Sequence, residues 1–171
     1  MKYLAGLLLT LGLLTATAHA SAASTNGTAV LTVTTLPTSG RYAPRHVMAV
    51  WITDQQNKLV KTIAVQAGKR KKYLELWRED LGKQAPDGIV GATRKEHAAQ
   101  TFTWDACDQA GQPVAPGLYR WRVEFTDRNK MGPSTPADYL TFTVGPEPTT
   151  NRPADLPFFH DLGVTYTPGT P

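Results

Sequence analysis

The sequence predicts an all-β fold, an antiparallel β-sandwich with one short helix. Three observations carry that prediction. Short segments rich in apolar and β-branched residues recur along the chain; clusters of Gly, Pro, Asn and Asp separate them; and only one stretch has helical spacing. The clearest alternation spans residues 118–126, where Tyr119, Trp121, Val123 and Phe125 share one face and Arg120, Arg122 and Glu124 the other. That pattern predicts one face in a core and the other in water.

The elements follow in order. Residues 1–20 have the pattern of a secretory signal peptide: Lys2, an apolar run from Leu4 to Leu14, and the A-x-A cleavage pattern Ala18-His19-Ala20. The apolar run is too short for a retained span, and no later stretch is apolar enough, so the chain is expected to be exported and not membrane-spanning. Residues 21–171 are then expected to form a single β-sandwich domain. Residues 28–35 alternate Leu31 and Val33 against Thr32 and Thr34, a strand. Residues 45–53 hold Val47, Val50, Trp51 and Ile52 in one apolar run and predict a central strand. Asp54 to Asn57 supply turn chemistry, and residues 58–66 return with Leu59, Val60, Ile63 and Val65 as the antiparallel partner.

Residues 68–72 form a basic turn. Leu74, Trp77 and Leu81 then recur at helical spacing and predict a helix over 73–81, stopped near Gly82. Residues 83–100 show no period and predict a long loop, a feature often tied to function. Residues 100–104 predict a short strand ending at Trp104, and residues 105–116 a wide turn before the strand at 118. Residues 138–144 predict another strand, with Leu140, Phe142 and Val144 inward. Residues 145–160 form a Pro-rich extension, and residues 161–167 a last strand carrying Leu162, Val164 and Tyr166. About seven strands are expected.

Composition excludes several functions. The net charge of +4 is a mild bias and does not argue for nucleic acid. Cys107 stands alone, so neither an internal disulfide nor a CxxC redox or zinc motif exists. His46, His97 and His160 are scattered without metal-ligand spacing, so no metal site is expected and His46 is expected to be a satisfied structural residue. Asp105, Asp108 and Gly111 lack the spacing of a calcium loop. No nucleophile elbow, phosphate loop or dinucleotide fingerprint occurs. Glu79 and Asp80 are expected to be surface charge on a helix end. The chain is therefore not expected to be an enzyme. The run Lys69-Arg70-Lys71-Lys72 is expected to be a solvated turn protecting a sheet edge; an acidic partner, lipid headgroups or polysaccharide are the alternatives.

Two stretches resemble known families. Residues 104–123, from Trp104-Asp105-Ala106-Cys107-Asp108 through Gly111, Pro113 and Gly117 to Tyr119, resemble a hairpin of the immunoglobulin-like domain in flagellar hook-capping proteins, with Ala106 where glycine is usual. The resemblance implies an immunoglobulin/fibronectin-III-like sandwich, with Trp104 anchoring a strand end and Tyr119 in the core. Over most of residues 21–171, from Arg45-His46-Val47 through Asn57-Lys58-Leu59 and Asp87-Gly88-Ile89 into the Trp104 hairpin, the chain is similar to predicted periplasmic proteins grouped as domain of unknown function 2271. That implies a periplasmic β domain and no established activity.

One motif carries chemistry. Asp87-Gly88-Ile89-Val90-Gly91-Ala92-Thr93 resembles the flavin-attachment motif D-x-x-[ST]-G-A-[ST], with Val90 at the usual Ser or Thr position. The resemblance implies FMN esterified to Thr93 by a separate flavin transferase, with Gly91 and Ala92 leaving the approach open. Asp87 would orient the loop or bind the transferase's metal, and Arg94 would offset the phosphodiester charge. A redox accessory or electron carrier served by a membrane redox protein would result. On the alternative reading the loop is two bends with Thr93 opening an edge strand. The chain is then a non-catalytic periplasmic module contacting a protein or envelope partner.

Overall fold

The computed structural model describes residues 27–85 and 88–169. The signal-peptide pattern of residues 1–20, and Asp87, lie outside the described residues. Within them the chain runs β1 (Gly27–Thr35), β2 (Val47–Asp54), β3 (Leu59–Gln66), a 3-10 turn (Gly68–Tyr73), α1 (Glu75–Leu81), β4 (Ile89–Gly91), β5 (Ala99–Trp104), β6 (Gly117–Thr126), β7 (Thr141–Val144), β8 (Thr149–Asn151) and β9 (Phe159–Pro168). The strands form two sheets, ordered β5-β1-β9-β8 and β4-β3-β2-β6-β7. The expected all-β sandwich with one short helix is the fold. Among the described residues, no helix is long and apolar enough to cross a membrane.

The facing sides of the two sheets supply the main core. From one sheet come Leu31, Val33, Trp104 and Tyr166; from the other Val50, Trp121, Val123 and Phe142, all of them buried. The alternation read from β1 and β6 is the pleat that aims these side chains inward. The hairpin after β5 closes as its turn residues require. Asp108 Oδ1 accepts hydrogen bonds from the backbone N–H of Ala110 and Gln112, and Trp104 Nε1 donates to the Cys107 carbonyl at 2.7 Å. Tyr119 stands beside Trp104 with ring centroids 5.3 Å apart.

Three expectations need correction. First, the polar face of β6 is not in water: Arg120, Arg122 and Glu124 are all buried. The cause is a third layer. Helix α1 lies on the outer face of the five-stranded sheet, where Val47, Ala49, Trp51, Leu74 and Trp77 make a second core. Strand β2 is buried on both faces and therefore reads as an unbroken apolar run. Most of the covered polar groups are paired, although Arg122 Nε is buried without a hydrogen-bond partner. Glu124 accepts from the N–H groups of Glu75, Leu76 and Trp77 at 2.9, 3.4 and 3.0 Å and so caps α1, which has no side-chain cap of its own. Arg120 bonds Asp138 at 2.7 Å. Asp80, expected at the surface, accepts from Trp51 Nε1 at 2.8 Å and lies 3.8 Å from Arg122.

Second, residues 83–100 are not wholly irregular. They contain β4, which pairs parallel to β3 through Ala64↔Ile89, Val65↔Val90 and Gln66↔Gly91. A three-residue strand is too short to leave a period in the sequence. Third, β8 forms inside the Pro-rich stretch and pairs with β9. Its edge position uses only one side of the ladder, so the neighbouring prolines do not obstruct it.

Candidate functional site

The strand directions gather five connections at one pole of the sandwich. They are the β1–β2 loop, the 3-10 turn after β3, the β4–β5 loop, the segment after β6 and the β8–β9 connection. The motif residues sit in the third of these. Gly91 closes β4 and is half-buried, Ala92 is exposed, and Thr93 and Arg94 are half-buried in the loop that follows. Thr93 does not open an edge strand; the edge strand is β4, and it ends two residues earlier.

The loop is fastened just beyond Thr93. His46 and Arg94 form an isolated antiparallel bridge, with the His46 N–H donating to the Arg94 carbonyl at 3.1 Å and the Arg94 N–H to the His46 carbonyl at 3.0 Å. Thr93 therefore lies on a short arch between the end of β4 and this bridge. Its Oγ1 is 3.7 Å from where a Cβ on Gly68 would stand, which puts the hydroxyl against the 3-10 turn. No hydrogen bond among the described residues engages that hydroxyl.

Two depressions meet here. A groove of about 430 Å³ is bordered by Gln66, Gly91, Ala92, Thr93, Arg94 and Lys95. A cleft of about 590 Å³ opens between the edges of the two sheets, where Thr62, Ala64, Phe102 and Trp104 contribute to its walls. Gln66 and Gly91 border both. Gln66 Nε2 donates to Gln100 Oε1 at 3.1 Å, whereas Gln66 Oε1 is buried without a hydrogen-bond partner. A Cβ on Gly91 would touch Gln66 Cγ at 3.4 Å, so glycine keeps this junction open.

Beneath the arch lies a feature the sequence hid. His46 and His97 stack with ring centroids 4.0 Å apart and planes 14° from parallel, and Phe125 meets both edge-on at 5.6 Å. His46 Nδ1 donates to the Pro44 carbonyl at 3.2 Å, and His97 Nδ1 lies 2.8 Å from Thr35 Oγ1. Both Nε2 atoms are buried without a partner, so His46 is not the fully satisfied residue expected. Burial holds both imidazoles below their ordinary range, His46 from 6.5 to about 4. Two neutral rings can stack where two imidazolium ions would repel. Fifty residues of intervening chain leave no local pattern that joins these histidines; only the β1–β2 and β4–β5 loops bring them together. Among the described residues, no group of three or more His, Cys, Asp or Glu is placed to hold a metal ion.

Asp127 completes the pole. Its buried carboxylate accepts from the Thr38 N–H at 2.8 Å, Thr38 Oγ1 at 2.6 Å and the Gly40 N–H at 3.1 Å, and lies 3.5 Å from Arg128 Nε. Burial alone would raise its pKa; these donors outweigh burial and hold it below the usual carboxylate range.

No curated protein and no solved structure matches the chain. The model of a family described as predicted periplasmic protein, domain of unknown function 2271, matches residues 23–149, and the chain belongs to that family.

Proposed function

We propose that the protein is a periplasmic electron carrier or redox accessory that bears FMN in phosphoester linkage to Thr93. One observation carries the reading: the Thr93 hydroxyl has no partner among the described residues and stands on a surface arch where a groove and a cleft meet. The residues around it suit the group. Arg94 and Lys95 flank the hydroxyl and would balance the phosphodiester charge. The cleft offers Phe102 as a half-exposed aromatic wall. The unpartnered Gln66 Oε1 is an acceptor that a ring imide N–H would satisfy.

Attachment is the work of a separate transferase. The pyrophosphate bond of FAD breaks, Thr93 Oγ1 forms the new bond to the FMN phosphorus, AMP leaves, and the hydroxyl proton passes to the transferase. The flavin, once held, supplies reversible electron transfer. The chain's own contribution is to present the hydroxyl and to bind and screen the group. Its electrons would come from a membrane redox protein.

The test is the intact mass of the protein purified from its host's periplasm, beside Thr93→Ala and Thr93→Ser. The expected result is a gain of one FMN less water, with yellow colour that survives denaturation. Thr93→Ala abolishes both and Thr93→Ser retains them. An unmodified chain from a host that flavinylates other proteins would sink the reading.

A further inference from the structure

The same pole concentrates the protein's positive charge. Of the eighteen Lys and Arg in the sequence, ten lie in four of its five connections. The β1–β2 loop carries Arg41 and Arg45. The 3-10 turn carries the run from Lys69 to Lys72. The β4–β5 loop adds Arg94 and Lys95, and the segment after β6 adds Arg128 and Lys130. Glu75, Glu96 and the buried Asp127 oppose them there, and the β8–β9 connection adds Arg152 and Asp155. Lys2 aside, seven Lys and Arg remain outside those four connections, against eleven of the fourteen Asp and Glu. A modest net charge of +4 therefore hides a strongly polarised molecule.

These cations are left available. Arg128 alone among the ten makes an ion pair within the described residues, with Asp127. The platform is also tied together. Arg70 stacks over the Tyr42 ring at 4.1 Å and donates to the Arg128 carbonyl at 2.8 Å. Asn129 Nδ2 donates to the Tyr42 hydroxyl at 2.8 Å, and Arg128 donates to the Thr38 carbonyl at 2.7 Å. Three separate connections are thereby cross-braced without neutralising the outward lysines. An apolar residue projects among the charges: Met131, next to Lys130, is 56 % exposed, the more exposed of the two large apolar side chains that stand out from the described surface. The Met131 N–H donates to the Glu75 carboxylate at 3.2 Å, two residues beyond Tyr73, whose ring lies under Lys72 Nζ at 5.0 Å.

We infer that this pole docks on the anionic phospholipid surface of a membrane facing the periplasm. A predominantly positive face, with exposed lysines and an apolar tip among them, matches a fluid layer of anionic headgroups. Each Lys or Arg near such a surface adds to an attraction that salt screens. Paired acidic sites on a protein would instead be met by directed, partnered donors, and the outward lysines here have none. The inference does not depend on flavin at Thr93. It places the Thr93 arch on the membrane-facing side whether or not that residue is modified.

The experiment is co-sedimentation of the mature protein with vesicles of phosphatidylethanolamine and phosphatidylglycerol, and with vesicles of phosphatidylcholine alone. Two charge-matched variants accompany it. One carries Lys69→Glu and Lys71→Glu at the pole, and the other Lys58→Glu and Lys83→Glu away from it. All four side chains are exposed, and circular dichroism checks that both variants fold. The expected result is binding to the anionic vesicles only, weakening as salt rises, reduced at least tenfold in the pole variant and less than twofold in the other. Equal loss in both variants would reduce the effect to net charge and overturn the inference. Binding to polyglutamate but not to the anionic vesicles would overturn it in favour of an acidic protein partner.

Discussion

His46 shows how much one side chain's surroundings decide. Its position in an apolar run marks it as buried, but burial alone does not say whether its ring nitrogens are served. Nδ1 is served by Pro44; Nε2 faces the interior beside His97. The folded protein therefore resists protonating a group that the unfolded chain protonates readily. With the folded pKa at about 4 and the unfolded value at 6.5, stability is lost as pH falls through that window. The full difference corresponds to roughly 3 kcal/mol. The groups facing the pair are Arg94, Asp127, Thr35 and Phe125. Glu124 and Asp80, raised by burial, shift stability in the opposite sense, so the comparison must be with a variant. His46→Phe is expected to flatten the fall in urea stability between pH 6.5 and 4, and an unchanged pH slope would refute the burial argument. At Gly40 the constraint is steric: a Cβ would collide with the Asp127 carboxylate, so glycine admits the close approach that lets Asp127 hold the loop.

Among elements, α1 is the least self-sufficient. It has seven residues, no side-chain cap of its own, and an N-terminus that meets Glu124 from β6. A helix this short is unstable alone. Its periodic Leu74, Trp77 and Leu81 are legible in the sequence, whereas its cap stands 47 positions from Trp77 and is not. Glu124→Ala removes a buried carboxylate serving three N–H groups, and a loss of about 2–3 kcal/mol in unfolding free energy is expected. Glu124→Gln, which keeps an acceptor oxygen, should lose less. Chemical denaturation of the two variants checks the order; equal losses would mean that the carboxylate's contacts to α1 do not matter. Strand β4 poses the opposite problem. Three residues carry no period, and the strand exists because the β3 edge offers its backbone a partner.

The whole molecule is three layers sharing one strand. Because β2 is buried on both faces, the inter-sheet core and the helix-side core are joined through it. Trp77→Ala on the helix side is expected to cost about 3–5 kcal/mol by leaving a cavity. Unfolding should remain a single transition, with far-UV circular dichroism and tryptophan fluorescence coinciding. Separate transitions would show that the α1 layer unfolds alone. The sequence by itself determined the strands that alternate or run apolar, the turns between them, the helix stripe and the family. These are local patterns, written in residues a few positions apart and set by the pleat, the helix turn and the turn-forming residues. The tertiary structure alone decided that the Arg120–Glu124 face is covered, that His46 lies on His97, and that Asp127 holds a loop some ninety residues away. It also decided that ten cations from four connections share one pole. Each of these depends on which strand ends the sheet order brings together, and chain separation hides such proximity from any reading of neighbouring residues.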